Sequence, residues 1–100
     1  MAQINWTNQS LEDIQQIASY ISNNSERYAQ IFVDKVFEKV EILVDLPRVG
    51  RMVPEIELEY IRELIYGNYR IVYRIVNDNR IDILTIHHSA RPLSKDSLFN

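Results

Sequence analysis

Tyr60-Ile61-Arg62-Glu63-Leu64-Ile65-Tyr66, then Gly67-Asn68, then Tyr69-Arg70-Ile71-Val72-Tyr73-Arg74-Ile75-Val76: this stretch decides the fold. Two alternating runs about a Gly-Asn pair read as a β-hairpin, with glycine supplying the positive φ that a primed two-residue turn requires. The turn length sets the register, placing Tyr66 opposite Tyr69, Leu64 opposite Ile71 and Arg62 opposite Tyr73. Successive strand residues point to opposite sides. One face therefore holds Tyr60, Arg62, Leu64, Tyr66, Tyr69, Ile71, Tyr73 and Ile75, and is rich enough in large apolar groups to pack on helices. The other holds Ile61, Glu63, Ile65, Arg70, Val72, Arg74 and Val76. With Arg70 and Arg74 diagonal to Glu63 and within ion-pairing reach, it is expected to be the open face.

A third run follows from Ile81 to His87, across a turn over Asn77-Asp78-Asn79. It is apolar on both sides apart from Asp82 and Thr85, which suits an interior strand or one covered by a partner. After His88 the chain leaves the sheet, Pro92 blocks further ladder pairing, and the polar residues 94–100 are expected to fray.

Upstream, Gln3-Ile4-Asn5-Trp6 alternates and reads as a short first strand. Thr7 or Ser10 caps a helix carrying Leu11, Ile14, Ile17, Ala18 and Ile21 at helical spacing, with Glu12 and Asp13 expected in its first turn against the helix dipole. Asn23-Asn24 ends it. A second helix, capped from Asn23 with Glu26 or from Ser25, runs to about Asp45. Ala29, Phe32, Val33, Val36, Val40 and Leu43 form its apolar face, broadened by Tyr28, Ile31, Phe37 and Val44. The short link and two amphipathic faces predict an antiparallel helical hairpin. Pro47 stops the second helix, and Leu46 to Glu59 reads as an irregular connection, long enough to suggest that it covers a site. Within it Arg48 and Arg51 flank Gly50, which places both on a tight turn.

The expected fold is therefore α+β: an N-terminal strand, a helical hairpin and a three-stranded antiparallel meander, with the helices on one face of the sheet. One hundred residues are expected to form one domain. With 46% apolar and 25% charged residues the chain has an ordinary globular balance. It has no cysteine, so disulfides and thiolate metal sites are ruled out. No apolar run is long enough to span a bilayer, and a cytoplasmic protein without membrane association is expected. The formal net charge of −3 argues against nucleic-acid binding through bulk charge. Residues 1–47 hold seven acids and three bases, whereas residues 48–100 hold seven acids and eight bases, seven of them arginine. The helical half is acidic and the sheet half carries the arginines.

No metal site is read in the sequence: His87 and His88 are adjacent and point to opposite faces of a strand, with no acid cluster at ligand spacing. Two glycines, Gly50 and Gly67, cannot make a phosphate loop, and there is no nucleophile elbow. No cofactor is expected. What remains is a group of arginines, Arg48, Arg51, Arg70, Arg74 and Arg91, suited to bidentate recognition of phosphate or carboxylate. Beside them stand His87 and His88, able to move protons near neutral pH.

The order of elements, with Pro47-x-x-Gly50-Arg51 and Tyr69-Arg70-Ile71-Val72-Tyr73, resembles the RelE/ParE toxin family. Further markers are Trp6, Asp13-Ile14, Leu46-Pro47, Pro54-Glu55, Arg62-Glu63-Leu64 and His87 through Arg91. The resemblance covers roughly Ile4 to Leu93. It implies the toxin of a bacterial type II toxin–antitoxin system, a class tied to plasmid stabilisation and growth inhibition. RelE-like members cleave mRNA in the ribosomal A site; ParE-like members inhibit DNA gyrase and so replication. Arg70 matches an arginine that the nucleases use to hold phosphate. Those enzymes also carry lysines on the preceding strand, where this chain has Ile61 and Glu63; they carry a basic residue at about Ser89 and a tyrosine at about Lys95, neither of which is matched here, and no tyrosine follows Tyr73.

These departures favour a ParE-like, non-enzymatic toxin, with Arg48, Arg51, Arg70, Arg74 and Arg91 as target-binding residues. A RelE-like endoribonuclease is the alternative, acting on the ribosome with mRNA and using Arg70, His87, His88 and Arg91. A degenerate module that only binds its antitoxin is a second alternative. The implied partner is a cognate antitoxin whose flexible segment folds on binding. It would wrap the helical hairpin through Ile14, Ile17, Ile21, Tyr28, Phe32 and Val36, or add a strand to an exposed sheet edge. Operator DNA would be bound by the antitoxin, so this chain need not touch it.

Overall fold

A computed structural model describes residues 1–99. Strand β1 (Gln3–Trp6) leads into helix α1 (Asn8–Ser22), and helix α2 (Glu26–Glu41) follows and tightens into a 3-10 turn at Ile42–Val44. A two-residue strand β2 (Arg51–Met52) precedes the meander of β3 (Ile61–Tyr66), β4 (Tyr69–Asn77) and β5 (Arg80–His88), and a short helix α3 (Lys95–Phe99) comes last. The sheet order is β1-β5-β4-β3-β2, with β1 parallel to β5 and the other pairs antiparallel.

The hairpin register is the expected one: Tyr66 pairs with Tyr69, Leu64 with Ile71 and Arg62 with Tyr73. Gly67 has φ 57°, while Asn68 is not among the positive-φ residues, the pattern of a type II′ turn. Thr7 caps α1, accepting from the Ser10 amide, and Ser25 caps α2, accepting from the Tyr28 amide. Each oxygen satisfies an amide that the helix leaves without an internal partner. Because α1 starts at Asn8, Glu12 and Asp13 lie beyond its first turn, contrary to expectation.

β5 is an interior strand between β1 and β4. Val72 pairs with Thr85 but Tyr73 with Ile83, so Leu84 is an extra, bulged residue. The bulge resets the alternation. Ile81, Ile83 and Ile86 all join the core under the helices, formed with Ile14, Phe32, Val36, Val40, Leu43, Ile71 and Tyr73, while Leu84 packs on the opposite side.

The second face of the sheet is not open. Val53, Ile56 and Leu58 of the 46–59 connection, together with Leu93 and Leu98, cover Ile61, Val72 and Leu84 in a second apolar cluster. Ile61 and Val72 are fully buried, and so is Glu63 at 1% exposure. Residues 95–99 form α3 rather than fraying, and Leu98 of that helix packs on this cluster. Alternation alone sorts side chains by face but does not reveal that a loop returns to cover one. The connection holds its tight geometry partly through Glu57, a non-glycine residue at φ 58°.

Three residues expected on an antitoxin-binding surface, Ile14, Phe32 and Val36, are instead buried in the first core. The apolar stripe of an amphipathic helix satisfies the chain's own sheet first. Tyr28 is exposed, and Ile17 and Ile21 are half-buried.

Candidate functional site

Arg70 lies at the centre of the covered face, its side chain 9% accessible. It donates to Glu55 through both terminal nitrogens, at 2.8 Å each, and reaches Glu63 Oε1 at 3.3 Å. It also donates to the carbonyls of Ser89 at 3.2 Å and Arg91 at 3.4 Å. The fork geometry of guanidinium suits such a many-sided role. Glu63 is shared with Arg51, whose Nε donates to its second oxygen. Two arginines and two carboxylates thus form a neutral, mutually satisfied cluster. Hydrogen bonding from Arg70 holds the Glu55 carboxyl well down, at about 2 against an ordinary 4.5. In turn, hydrogen bonding to Glu55 and the nearby Glu63 charge raise the guanidinium above its ordinary value.

The cluster also ties chain segments together. Glu55 accepts from the Leu93 amide at 3.1 Å, so Arg70 and Glu55 hold the covering loop and the segment after β5 onto β4. A second tie lies on the helix side, where fully buried Tyr73 donates to the Pro47 carbonyl at 2.7 Å and accepts from the Gly50 amide at 3.0 Å. Burial raises the Tyr73 hydroxyl above its ordinary range, against the lowering effect of the Gly50 N–H. Gly50 is required by close approach: a Cβ there would lie 2.6 Å from the Tyr73 hydroxyl and 2.7 Å from the Glu63 carbonyl oxygen. Arg62 completes the tie by donating to the carbonyls of Gly50 and Glu59, at 2.9 Å each.

At the far end of β5 a cleft of about 510 Å³ opens between α1 and the sheet. Gln9, Asp13, Gln16, Ile17 and Tyr20 line it from α1, and Tyr69, Thr85 to His88 and Arg91 from the sheet side. Asp13 is committed to the joint itself. Its Oδ2 accepts from the Thr85 hydroxyl and from the Ile86 amide at 3.1 Å, and Oδ1 accepts from Gln9 at 2.8 Å. His88 Nδ1 accepts from the Ala90 amide at 3.1 Å, and its ring stands edge-on to Tyr69. That leaves Nε2–H as the donor of the neutral ring. His87 Nε2 lies 3.1 Å from the Arg91 carbonyl, which can only accept, so it carries the proton there.

The arginines expected to act together are therefore divided. Arg70 is buried and saturated, which corrects its assignment as a target-contact residue. Arg51 is exposed but paired with Glu63. Arg74 does not pair with Glu63: its guanidinium sits 5.8 Å from the Tyr60 ring centre, and its Nε is buried without a hydrogen bond. Arg48 and Arg91 are exposed, with no ion pair among the described residues. His87 and His88 point to opposite faces, as adjacent strand residues must, and among the described residues no three His, Asp or Glu side chains are grouped to hold a metal. The residues that sequence reasoning missed are Glu55, Asp13 as an α1–β5 tie, and Tyr73 as a loop anchor. Glu55 had a signal in the Pro54-Glu55 pair, but only the folded loop shows that it meets Arg70.

Comparison with known proteins gives one consistent answer. The pattern of the family described as "ParE toxin of type II toxin-antitoxin system, parDE" matches residues 4–93. A protein of Caulobacter vibrioides named Toxin RelE2 is 30% identical over 91 residues, which is 91% of this chain and 99% of that one. A solved structure described as "Chromosomal ParDE TA system from P. aeruginosa" superposes with a TM-score of 0.70. It is 24% identical, covering 88% of this chain and 96% of the other, and is similar in fold.

Proposed function

From the premise that this chain belongs to the RelE/ParE toxin family of type II toxin–antitoxin systems, we propose that it acts as a ParE-like toxin. It binds and inhibits DNA gyrase, blocks replication, and is neutralised by a cognate antitoxin. The observation that carries this choice is the state of Arg70. A nuclease of this fold needs positive charge preorganised at the scissile phosphate. Here the matching arginine is 9% accessible and already bound to two carboxylates. Glu63 and Ile61, at positions where the nucleases carry lysines, are buried beneath the covering loop. His87 is occupied by the Arg91 carbonyl.

Target contact then falls to the exposed arginines, Arg48 and Arg51 on the Pro47–Arg51 turn and Arg91 beyond the end of β5, and to the half-buried Arg74. Antitoxin contact falls to the exposed parts of the helical hairpin, Tyr28 with the half-buried Ile17 and Ile21. Sheet edges are also available, because β2 covers only Arg62 and Glu63 of β3 and leaves Leu64 to Tyr66 unpaired on that side. Among the described residues no helix is long and apolar enough to cross a membrane.

The test uses the unsubstituted protein in two assays, supercoiling by purified gyrase and mRNA cleavage on programmed ribosomes. Inhibition without cleavage supports the proposal. Cleavage without inhibition assigns the endoribonuclease activity instead, and normal growth on induction of the chain alone refutes toxicity itself. Arg70→Ala is a poor discriminator, because it would unpair two carboxylates and disturb the fold in either case.

A further inference from the structure

A second groove, of about 440 Å³, lies at the opposite end of β4 from Tyr69 and is used by neither the charge cluster nor the first cleft. Asp45 to Val49 form one wall, and Ile75, Asn77 and Asp78, at the end of β4 and the turn after it, form the other. Leu46, Pro47, Val49 and Ile75 make its lining largely apolar. Leu46 and Val49 are 56% and 53% exposed, yet they do not sit on a loose loop. Their amides donate to the carbonyls of Ile42 at 3.0 Å and Leu46 at 3.2 Å. Between them, the Pro47 carbonyl accepts from the Tyr73 hydroxyl at 2.7 Å and the Arg48 carbonyl from Arg62 at 3.4 Å. Two aliphatic side chains are therefore presented in fixed positions beside an apolar groove, which removes the ordering cost that a mobile loop meets on association.

The charges around this groove are of both signs and free. Asp45, Arg48 and Asp78 are exposed, and their side chains make no hydrogen bond or ion pair among the described residues. Arg48 stands on one wall and Asp78 on the other. A wholly acidic partner meets Asp45 and Asp78 with like charge, and a wholly basic one meets Arg48. The partner that fits carries an acid and a base on either side of an aliphatic projection, and this surface is itself such a partner. A two-fold axis through the groove sets Arg48 of one copy against Asp78 of the other, twice, and brings Leu46 and Val49 of each over the groove of the other. We propose that the groove is an isologous surface through which two copies of this chain associate. The association is a property of the free chain and does not depend on the gyrase reading. It covers Arg48, one of the arginines assigned to target contact, so the associated form withholds that residue from the target.

The patch lies at the small end of specific interfaces and each copy carries a net charge of −3, so a weak dimer is expected, with a Kd on the order of 100 µM. Sedimentation equilibrium and amide shifts of the ¹⁵N-labelled full chain test this together, over loadings from about a tenth to about ten times that Kd. A monomer–dimer equilibrium should appear, with concentration-dependent shifts at the amides of Leu46, Arg48, Val49 and Asp78. Because the axis makes each ion pair occur twice, Arg48→Glu and Asp78→Arg should each weaken association about tenfold. The double variant Arg48→Glu/Asp78→Arg restores opposite charges across the axis and should return to within about threefold of the parent. Arg27→Glu, the same charge change on α2, should stay within about twofold. A monomer at every loading overturns the proposal and leaves the groove to a different partner. So do growth beyond a dimer, shifts confined to another face, an equal effect of Arg27→Glu, or a double variant no better than the single ones.

Discussion

Substituting Glu55→Gln isolates the charge that ties the covering loop to Arg70. The residue keeps its shape and can still accept from the Leu93 amide, but it no longer offers an anion to the guanidinium. In the folded protein the carboxyl is held at about 2 against an ordinary 4.5. At about 1.4 kcal/mol for each tenfold change in proton affinity, that difference would come to about 3 kcal/mol. The Glu55 side chain is 27% accessible, and solvent screening at that exposure reduces the working value to about 1–2 kcal/mol. Because the folded-state value is depressed, the stabilisation is fully present above pH 4.5 and is lost as pH falls through about 2. Urea unfolding followed by circular dichroism, on parent and variant from pH 7 down to about 2, measures the gap. It should be about 1–2 kcal/mol at pH 7, begin to close below pH 4.5 and be nearly gone at pH 2. A gap that is absent at pH 7, or that stays constant down to pH 2, would refute the reasoning.

Three further changes test the ties within the fold. Arg70→Met leaves Glu55 without its guanidinium and buried Glu63 with Arg51 alone, and should cost about 3–5 kcal/mol in thermal or urea unfolding; a variant melting with the parent would show that the cluster contributes no stability. Tyr73→Phe strips the partner from the Pro47 carbonyl and the Gly50 amide, a loss of about 1–3 kcal/mol, and hydrogen exchange should show Gly50 losing protection. Gly50→Ala pushes a methyl group to 2.7 Å from a backbone oxygen that cannot rotate away; a cost of about 3 kcal/mol, at the upper end of overpacking, is expected in the same unfolding assay.

The site was legible in part, and the reason differs residue by residue. Glu63 and Arg70 were placed on one strand face within pairing distance, and they do pair. The same reasoning paired Arg74 with Glu63, yet Arg51 took that place from a strand of two residues. Strand alternation ranks only neighbours on the meander, and β2 carries too little pattern to be seen. Ile14, Phe32 and Val36 illustrate a second limit: an amphipathic face states that burial is needed but does not name what buries it.

What the chain by itself determined was local or periodic. Gly67-Asn68 set the β3–β4 register, because a two-residue turn with positive φ admits a single pairing. Thr7 and Ser25, each one of two caps the sequence offered, start the helices, since a cap acts within a few residues of itself; the expected stop at Pro47 is corrected, because α2 already ends at Glu41 and passes into a 3-10 turn over Ile42–Val44. The tertiary structure decided the fate of the charges. Whether Arg70 faces solvent or two carboxylates depends on where Glu55 arrives, fifteen residues away in sequence, and on where Ser89 and Arg91 present their carbonyls. Those contacts arise from the return of a loop and of the segment after β5 over the sheet, driven by Val53, Ile56 and Leu93 burying apolar surface. No spacing along the chain encodes that return. It converted an expected open arginine face into a closed, neutral one, leaving Arg91 and the cleft beside it facing outward.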